Sequence, residues 1–258
     1  MMKTKYLNFI KKLPKKLNSF YLENSQKSIV IKNKSKNRVK FDPVTNLDKS
    51  FEKFIRNLIT KKFPKDSIVG EEFKDKISSN KFKWTIDPID GTKAFIEGAS
   101  TWSNLIGLSI KKKSVLGLAN FPKLKKYYFN DEKKTYVFKN KKIFIVNIKG
   151  KKKMKKFKII GNFRTTSISK KNRIIRKLGK KFQLKSFDAM SFCMLAEGKV
   201  DAVIEANLKT FDILPLIPII QNSGNIVTTW TNKSAENAGN IVASSNRILH
   251  DKLIKLLK

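Results

Sequence analysis

The segment WTIDPIDGT, residues 84–92, places two carboxylates directly after a predicted strand. Residues 83–86 predict the strand, and Asp87-Pro88 ends it. Carboxylates three residues apart on a tight turn can face one point, and strand ends are where α/β proteins place their sites. We therefore expect Asp87 and Asp90 to meet, with Glu71 as a third member of an all-oxygen pocket.

An all-oxygen pocket suits Mg²⁺ better than zinc. Gly91-Thr92 opens a predicted helix over residues 93–97, and free amides at a helix start bind phosphate oxygens. The ordinary alternative is an Asx turn with a helix cap, for which the string DGT alone is common. The full string WTIDPIDGT is far more specific than DGT.

Basic residues dominate the charge, with 57 Lys+Arg against 20 Asp+Glu and a net charge of +37. Such a charge raises the hypothesis of nucleic-acid binding. Lysine, however, far outnumbers arginine, whereas proteins that read phosphates and bases favour arginine. We attribute the charge to compositional bias and the lysine runs at residues 111–113 and 151–153 to solvated turns. Ten of the twenty acids fall within residues 42–97.

Cysteine and histidine each occur once, which excludes several mechanisms. Cys193 has mostly apolar neighbours, which indicates a buried structural thiol. His250 lies in a predicted polar C-terminal helix. The single cysteine excludes an internal disulfide and a Cys-rich zinc site. The single histidine argues against a Ser-His-Asp or Cys-His mechanism and against a His-based zinc site.

Neither a membrane span nor a signal peptide is predicted. No run approaches the roughly 20 apolar residues that cross a bilayer. The basic N-terminal segment has scattered apolar residues and lacks the continuous apolar stretch of a signal peptide. Its spacing predicts an amphipathic helix with Leu7, Ile10, Leu13 and Leu17 on one face. We expect a cytoplasmic protein.

The pattern of elements changes along the chain. Up to residue 150 it is typical of an α+β arrangement, and from residue 151 to 258 strands and helices alternate, as in α/β folds. The Lys-rich stretch 149–156 is the predicted boundary. The predicted helices are 47–63, 170–178, 189–197, 213–222 and 246 onward. The predicted strands are 67–69, 83–86, 104–110, 115–120, 136–139, 143–148, 157–161, 200–205, 226–229 and 241–243.

Four segments together resemble the inositol monophosphatase superfamily. They are DPVTNLD at 42–48, VGEEF at 69–73, WTIDPIDGT at 84–92 and FDILPLIPIIQNSGN at 211–225. The resemblance implies a layered αβαβα sugar-phosphatase fold. The last segment departs from the family pattern, because Phe211 replaces Trp, Pro215 replaces Ala and Asn225 replaces a Gly, although Asp212 remains.

The resemblance also implies roles for individual residues. It implies that metal ions, two or three Mg²⁺, are bound by the side chains of Glu71, Asp87, Asp90 and Asp212 and by the Ile89 carbonyl, with Glu72 at a weaker position. The implied catalytic set is Asp48, Thr92 and Glu71, with Asp48 and Thr92 orienting and deprotonating the attacking water. The amides of Gly91 and Thr92 would hold the phosphate. A homodimer is implied as well.

The stretch after the first signature resembles the histidinol-phosphatase branch. There Asp188 and Glu205 would pair with the cationic substrate. The alternatives to substrate contact are a helix cap at Asp188 and a solvated Glu205 on a strand edge. Other candidate activities are 3′-phosphoadenosine 5′-phosphate phosphatase and inositol monophosphatase. A different class is an inactive relative that binds nucleic acid.

Overall fold

The chain forms alternating layers of helix and sheet. The computed structural model describes residues 2–26, 28–34, 43–146, 157–164 and 166–258. Within these ranges no helix combines the length and the apolar character that crossing a membrane requires.

Helices and strands are distributed over the whole chain. The described residues form fourteen strands: β1 Ile31–Asn33, β2 Pro43–Thr45, β3 Ser67–Gly70, β4 Phe82–Asp90, β5 Ser103–Ile110, β6 Lys113–Phe121, β7 Lys126–Asn130, β8 Thr135–Lys139, β9 Lys142–Val146, β10 Ile159–Asn162, β11 Phe182–Leu184, β12 Ala202–Leu208, β13 Ile226–Thr229 and β14 Gly239–Ser244. They form eight α-helices: α1 Met2–Asn24, α2 Asn46–Lys62, α3 Thr92–Ile96, α4 Ile168–Leu178, α5 Ala189–Ala196, α6 Thr210–Ile213, α7 Ile217–Asn222 and α8 Arg247–Leu257. Short 3₁₀ helices lie at Pro122–Leu124, Gly179–Lys181 and Ala235–Asn237.

Two main sheets organise these strands. The larger has the order β3-β4-β5-β6-β7-β8-β9, and all its pairs are antiparallel except β3 with β4. The smaller has the order β11-β10-β12-β14-β13, with β10 parallel to both β11 and β12. A separate short pair joins β1 to β2.

Three hydrophobic cores separate the layers. The first lies between the larger sheet and the helices α1 and α2, where Ile10, Leu13 and Leu17 are fully buried. The second fills the space between the two sheets around α5 and α7. The third packs α4 and α8 against the far face of the smaller sheet. The layer order is therefore αβαβα, which confirms the predicted fold.

Some predicted elements need correction. The expected helix over 213–222 is two short helices, α6 and α7, separated by the turn 214–216. Pro215 and Pro218 cause the break, because proline lacks the N–H donor and its ring crowds the preceding turn. The strands β1, β2, β7 and β11 were missed, although Tyr127 to Phe129 of β7 are strong strand formers.

Two residues are more buried than expected. His250 lies on α8 but is fully buried, and its ring nitrogens each lie 2.9 Å from a hydroxyl, of Thr228 and of Ser244. Glu205 lies on β12, the central strand of the smaller sheet, and not on a strand edge. The predicted domain boundary at 149–156 and the predicted motif residue Asp42 lie outside the described residues, so the division at residue 150 stays a prediction.

Candidate metal and substrate site

An irregularity in β4 brings its two aspartates together. Residues three apart in a regular strand point to opposite faces of the sheet. The pairing register of β4 with β5 shifts between Asp87 and Asp90, which removes this constraint. Both side chains are almost fully buried at the end of the strand.

Asp212 completes a cluster of three carboxylates. Asp87, Asp90 and Asp212 each offer a carboxylate oxygen, and these oxygens lie within 4.8 Å of one another. Asp212 lies on α6, and its Oδ2 accepts the N–H of Lys209 at 2.7 Å. The turn after α6 is anchored by Ser114, whose hydroxyl donates to the Leu214 carbonyl at 2.6 Å.

The burial and mutual repulsion of the three carboxylates favour the binding of a cation. Burial, followed by the neighbouring carboxylates, raises the pKa of Asp87 and that of Asp90 well above the usual range. Burial also raises the pKa of Asp212 to about 6. The buried Oδ1 of Asp87 has no hydrogen-bond partner among the described residues. A hard divalent cation would satisfy this oxygen and remove the repulsion, so the donor set fits a metal ion.

Glu71 lies beside the cluster but is paired with a lysine. Its Oε1 lies 2.9 Å from Lys34 Nζ, which also bonds Glu72. Burial is the main reason that the pKa of Glu71 rises to about 7, and the charges of Glu72 and Asp212 add to the rise. The buried Glu52 fixes this loop by accepting the N–H of Glu72 at 2.7 Å.

Asp48 and Thr92 meet next to the cluster. The Thr92 hydroxyl lies 3.4 Å from Asp48 Oδ1 and 3.1 Å from the Ile89 carbonyl oxygen. Asp48 is fully buried, and this burial raises its pKa although hydrogen bonds from Thr45 oppose the rise. A buried carboxylate with a raised pKa, bonded to a hydroxyl, has the chemistry of a general base.

Asp188 faces the start of α3. A Cβ atom built on Gly91 would lie 2.7 Å from Asp188 Oδ2, so a larger residue here would displace the end of this carboxylate. Gly91 has φ +80°, which also favours glycine. Asp188 is the N-cap residue of α5, but its side chain makes no capping hydrogen bond. The N–H of the next residue, Ala189, donates to Asp90 Oδ2 at 2.8 Å. The cap alternative thus holds for the position of Asp188 and not for its side chain.

Glu205 is the second predicted substrate residue. It is only 5% exposed, so the alternative of a solvated side chain is wrong. Its buried Oε1 has no hydrogen-bond partner among the described residues. Burial raises the pKa of Glu205 to about 8, although a hydrogen bond from Ser186 lowers it, and the charges of Asp188 and Asp212 contribute to the rise. Glu205 thus lies within electrostatic reach of both residues.

A family model places this arrangement of carboxylates in a known context. The model of the inositol monophosphatase family matches residues 2–258. The chain belongs to the inositol monophosphatase family.

Two relatives illustrate the range of similarity. A chloroplastic bifunctional phosphatase of Arabidopsis thaliana is 30% identical over 228 residues, which cover 84% of this chain and 65% of the relative. The histidinol-phosphatase of Mycobacterium tuberculosis is 24% identical over 227 residues, which cover 83% of this chain and 84% of the relative. Other relatives are named fructose-1,6-bisphosphatase/inositol-1-monophosphatase or Nus factor. The family and the relatives named as phosphatases support a phosphoric monoester hydrolase, but these relatives are named for different substrates.

A solved structure confirms the family fold. An IMPase/NADP phosphatase complexed with Mg²⁺ and phosphate superimposes with a TM-score of 0.82 at 18% identity, covering 100% of this chain and 97% of the other. At this identity the likeness establishes the shared architecture alone.

Sequence reasoning missed two basic residues at the site of this family member. Lys34 pairs with Glu71 and Glu72, and Arg164 Nη2 lies 3.4 Å from Asp188 Oδ1. Lys34 is one of many lysines and carried no signal. Arg164 could have been singled out, because the chain has only six arginines.

Proposed function

We propose that the chain is a Mg²⁺-dependent phosphatase that hydrolyses a phosphate monoester carrying a cationic group, and that this ester is histidinol phosphate. The observation that carries the proposal is Glu205, a carboxylate with an unpartnered buried oxygen beside Asp188 and the acidic cluster. A buried carboxylate oxygen without a partner is costly, and a substrate ammonium or imidazolium would remove that cost.

The residues of the acidic cluster would hold the metal ions, and Mg²⁺ suits their oxygen-only donor set. When bound, Mg²⁺ supplies Lewis-acid stabilisation of the phosphoryl oxygens and a lower pKa of the attacking water. Asp87, Asp90 and Asp212 would bind it, together with Glu71 and the Ile89 carbonyl. Glu71 would exchange its bond to Lys34 for a bond to the metal.

The proton of the attacking water would pass to Asp48 through Thr92. The water donates to the Thr92 hydroxyl while that hydroxyl donates to Asp48 Oδ1, its neighbour at 3.4 Å. The water oxygen would form the new bond to phosphorus as the ester P–O bond breaks. The departing alkoxide would take a proton from a solvent water, and Asp48 would return its own proton to solvent to close the cycle. The amides of Gly91 and Thr92 would hold the phosphoryl group in line with the attack.

A second candidate is an anionic ester such as 3′-phosphoadenosine 5′-phosphate, because Arg164 beside Asp188 supplies a guanidinium for a second phosphate. Inositol phosphate, a neutral sugar ester, is the third.

Cytoplasmic location and a homodimer belong to the same proposal. Salt-sensitive RNA binding without Mg²⁺-dependent turnover would instead favour a nucleic-acid-binding protein.

The test is Mg²⁺-dependent phosphate release from histidinol phosphate, inositol phosphate and 3′-phosphoadenosine 5′-phosphate, repeated with Glu205→Gln. We expect histidinol phosphate to have the highest kcat/KM. Glu205→Gln should raise the KM for histidinol phosphate about tenfold, because one charged hydrogen bond is lost. The KM for inositol phosphate should not change. The exposed Glu132→Gln is the matched control. Equal losses on both esters would refute the role of Glu205.

A further inference from the structure

Arg164 lies at the same edge of the smaller sheet as Glu205. It follows β10, which runs parallel to β12, and Asn162 of β10 pairs in register with Glu205 of β12. Parallel strands end at the same sheet edge, so the loop that carries Arg164 adjoins the end of the strand that carries Glu205. The side chain extends from there to Asp188, with 3.4 Å between Nη2 and Oδ1.

The guanidinium of Arg164 contacts Asp188, and its charge also acts on two further carboxylates. Burial raises the pKa of Asp188, of Glu205 and of Asp212, and the charge of Arg164 opposes the rise at each of them. Asp212 belongs to the acidic cluster that the metal would neutralise. Asp188 and Glu205 therefore present two carboxylates to the substrate, and Arg164 offsets one of them. The positive charge of the exposed Lys93 also lowers the pKa of Asp188.

The contact between Arg164 and Asp188 is a loose one. At 3.4 Å it is longer than the usual charge-assisted bond, and the arginine side chain is 62% exposed. The Asp188 side chain is 22% exposed, so the arginine is the solvated partner, and one long contact of this kind contributes little stability. A ligand cation can therefore take the place of the guanidinium on Asp188, and a ligand anion can draw the guanidinium away.

We propose that Arg164 is a specificity-determining residue, which competes with cationic groups of the substrate for Asp188 and attracts anionic groups. The proposal rests on the proposed phosphatase function, because it concerns the choice among phosphate esters. Selectivity is the difference between the affinities for two esters. A positive charge weakens the binding of a cationic ester and strengthens the binding of an anionic one, so it changes both affinities. Arg164 thus limits the preference for cationic esters.

The test compares Arg164→Gln with the wild-type protein on three esters: histidinol phosphate, the neutral glycerol 2-phosphate and 3′-phosphoadenosine 5′-phosphate. We expect the KM of the cationic ester to fall and that of the bisphosphate to rise, so that the ratio of the two changes at least about tenfold. The KM of the neutral ester should stay within about twofold, and Arg164→Lys should restore much of the wild-type ratio.

Arg247→Gln is the matched control for the loss of one positive charge. Arg247 is 65% exposed and pairs with Asp251 on α8, away from the site. Equal increases of KM for all three esters in Arg164→Gln would overturn the proposal, because Arg164 would then bind the phosphoryl group that they share. Unchanged KM values would overturn it as well.

Failure of the proposed substrate is distinguishable from failure of this inference. If the wild-type protein does not hydrolyse histidinol phosphate, that substrate is refuted, while the ratio between the neutral ester and the bisphosphate still reports on Arg164. Calorimetric binding of histidinol, which carries the cationic group without the phosphate, gives a readout independent of turnover. We expect Arg164→Gln to tighten that binding, and weaker or unchanged binding would contradict the inference.

Discussion

Asp90 and Ala189 are 99 residues apart in the sequence, yet Asp90 Oδ2 accepts the backbone N–H of Ala189 at 2.8 Å. The bond joins the end of β4 in the larger sheet to the first turn of α5, beside the smaller sheet. The same carboxylate belongs to the acidic cluster. One side chain therefore fixes the start of the helix next to Asp188 and takes part in the candidate metal site.

Asp90→Asn separates these two roles. The amide oxygen can still accept the N–H of Ala189, but one charge leaves a cluster whose members repel one another. We expect the thermal midpoint of the metal-free protein to rise by about 2–4 °C, as about 1 kcal/mol would produce in a chain of this size. The further rise on adding Mg²⁺ should be lost, together with turnover. Thermal melts with EDTA and with Mg²⁺ measure both effects.

Asp90→Ala is the control, because it removes both the charge and the hydrogen bond to Ala189. Its metal-free midpoint should lie below that of Asp90→Asn. A variant Asp90→Asn that keeps the full stabilisation by Mg²⁺ would show that this carboxylate is not a ligand.

Stability without metal should fall as the pH rises. The pKa values of Asp212, Glu71 and Glu205 are raised to about 6, about 7 and about 8, above those near 4 of the unfolded chain. The stability linked to these groups is therefore present below about pH 4 and is lost as the pH rises through about 6 to 8. The increase in thermal midpoint caused by Mg²⁺ should thus grow from about pH 5 to about pH 8. An increase that is constant over this range would contradict the assignment.

The hydroxyl of Thr92 should matter for turnover and little for folding. Thr92→Val keeps the shape of the side chain but cannot pass a proton to Asp48. We expect kcat to fall by about 10²–10⁴, the usual contribution of a positioned general base, while the thermal midpoint changes little. Thr92→Ser retains the hydroxyl and should retain most of the activity. Steady-state kinetics at saturating Mg²⁺ measure the difference, and equal activities of the two variants would exclude the hydroxyl from the reaction.

Two glycines of the larger sheet allow the turn that follows Asp212 to pack closely against the sheet. Gly107 and Gly117 pair across β5 and β6. A Cβ atom on Gly117 would lie 1.8 Å from the Pro215 carbonyl oxygen, and one on Gly107 would lie 3.0 Å from Pro215 Cα. Gly117→Ala should therefore cost about 1–3 kcal/mol by overpacking and also weaken Mg²⁺ binding by displacing Asp212.

Denaturant unfolding and Mg²⁺ titration calorimetry measure the two effects. Gly107→Ala is the graded comparison and should cost less than Gly117→Ala, because its closest contact is longer. A larger cost at Gly107 would mean that the turn is held in another way.

The sequence predicted the parts of the site that depend on neighbouring residues. Asp87 and Asp90 share one strand end, and Thr92 follows them, so their proximity is a local property. The layer order and the place of Asp212 were predicted through the resemblance to the inositol monophosphatase superfamily. The helix break before Ile217 was not predicted, although Pro215 and Pro218, which are both unfavourable within a helix, could have indicated it.

Long-range contacts could not be predicted from the sequence. The bond from Asp90 to Ala189 and the contact from Arg164 to Asp188 depend on how the two sheets pack, which has no local signal. The central position of β12, and with it the burial of Glu205, depends on strand order in the same way. The single histidine, His250, was expected in a polar C-terminal helix, although Leu249, Leu253, Ile254 and Leu257 recur at helical spacing and are buried on the same helix.

Asp48 connects the chemistry of the site to the order of one helix turn. Its Oδ2 accepts the backbone N–H of Thr45 at 2.8 Å, and the Thr45 hydroxyl in turn accepts from Leu47 and Asp48, so the two residues cap the start of α2. The group that would take the water proton is thus held by the first turn of that helix. Fraying of that turn would release the base while the rest of the chain stays folded. The enzyme should therefore lose its activity at a temperature below the midpoint of thermal unfolding.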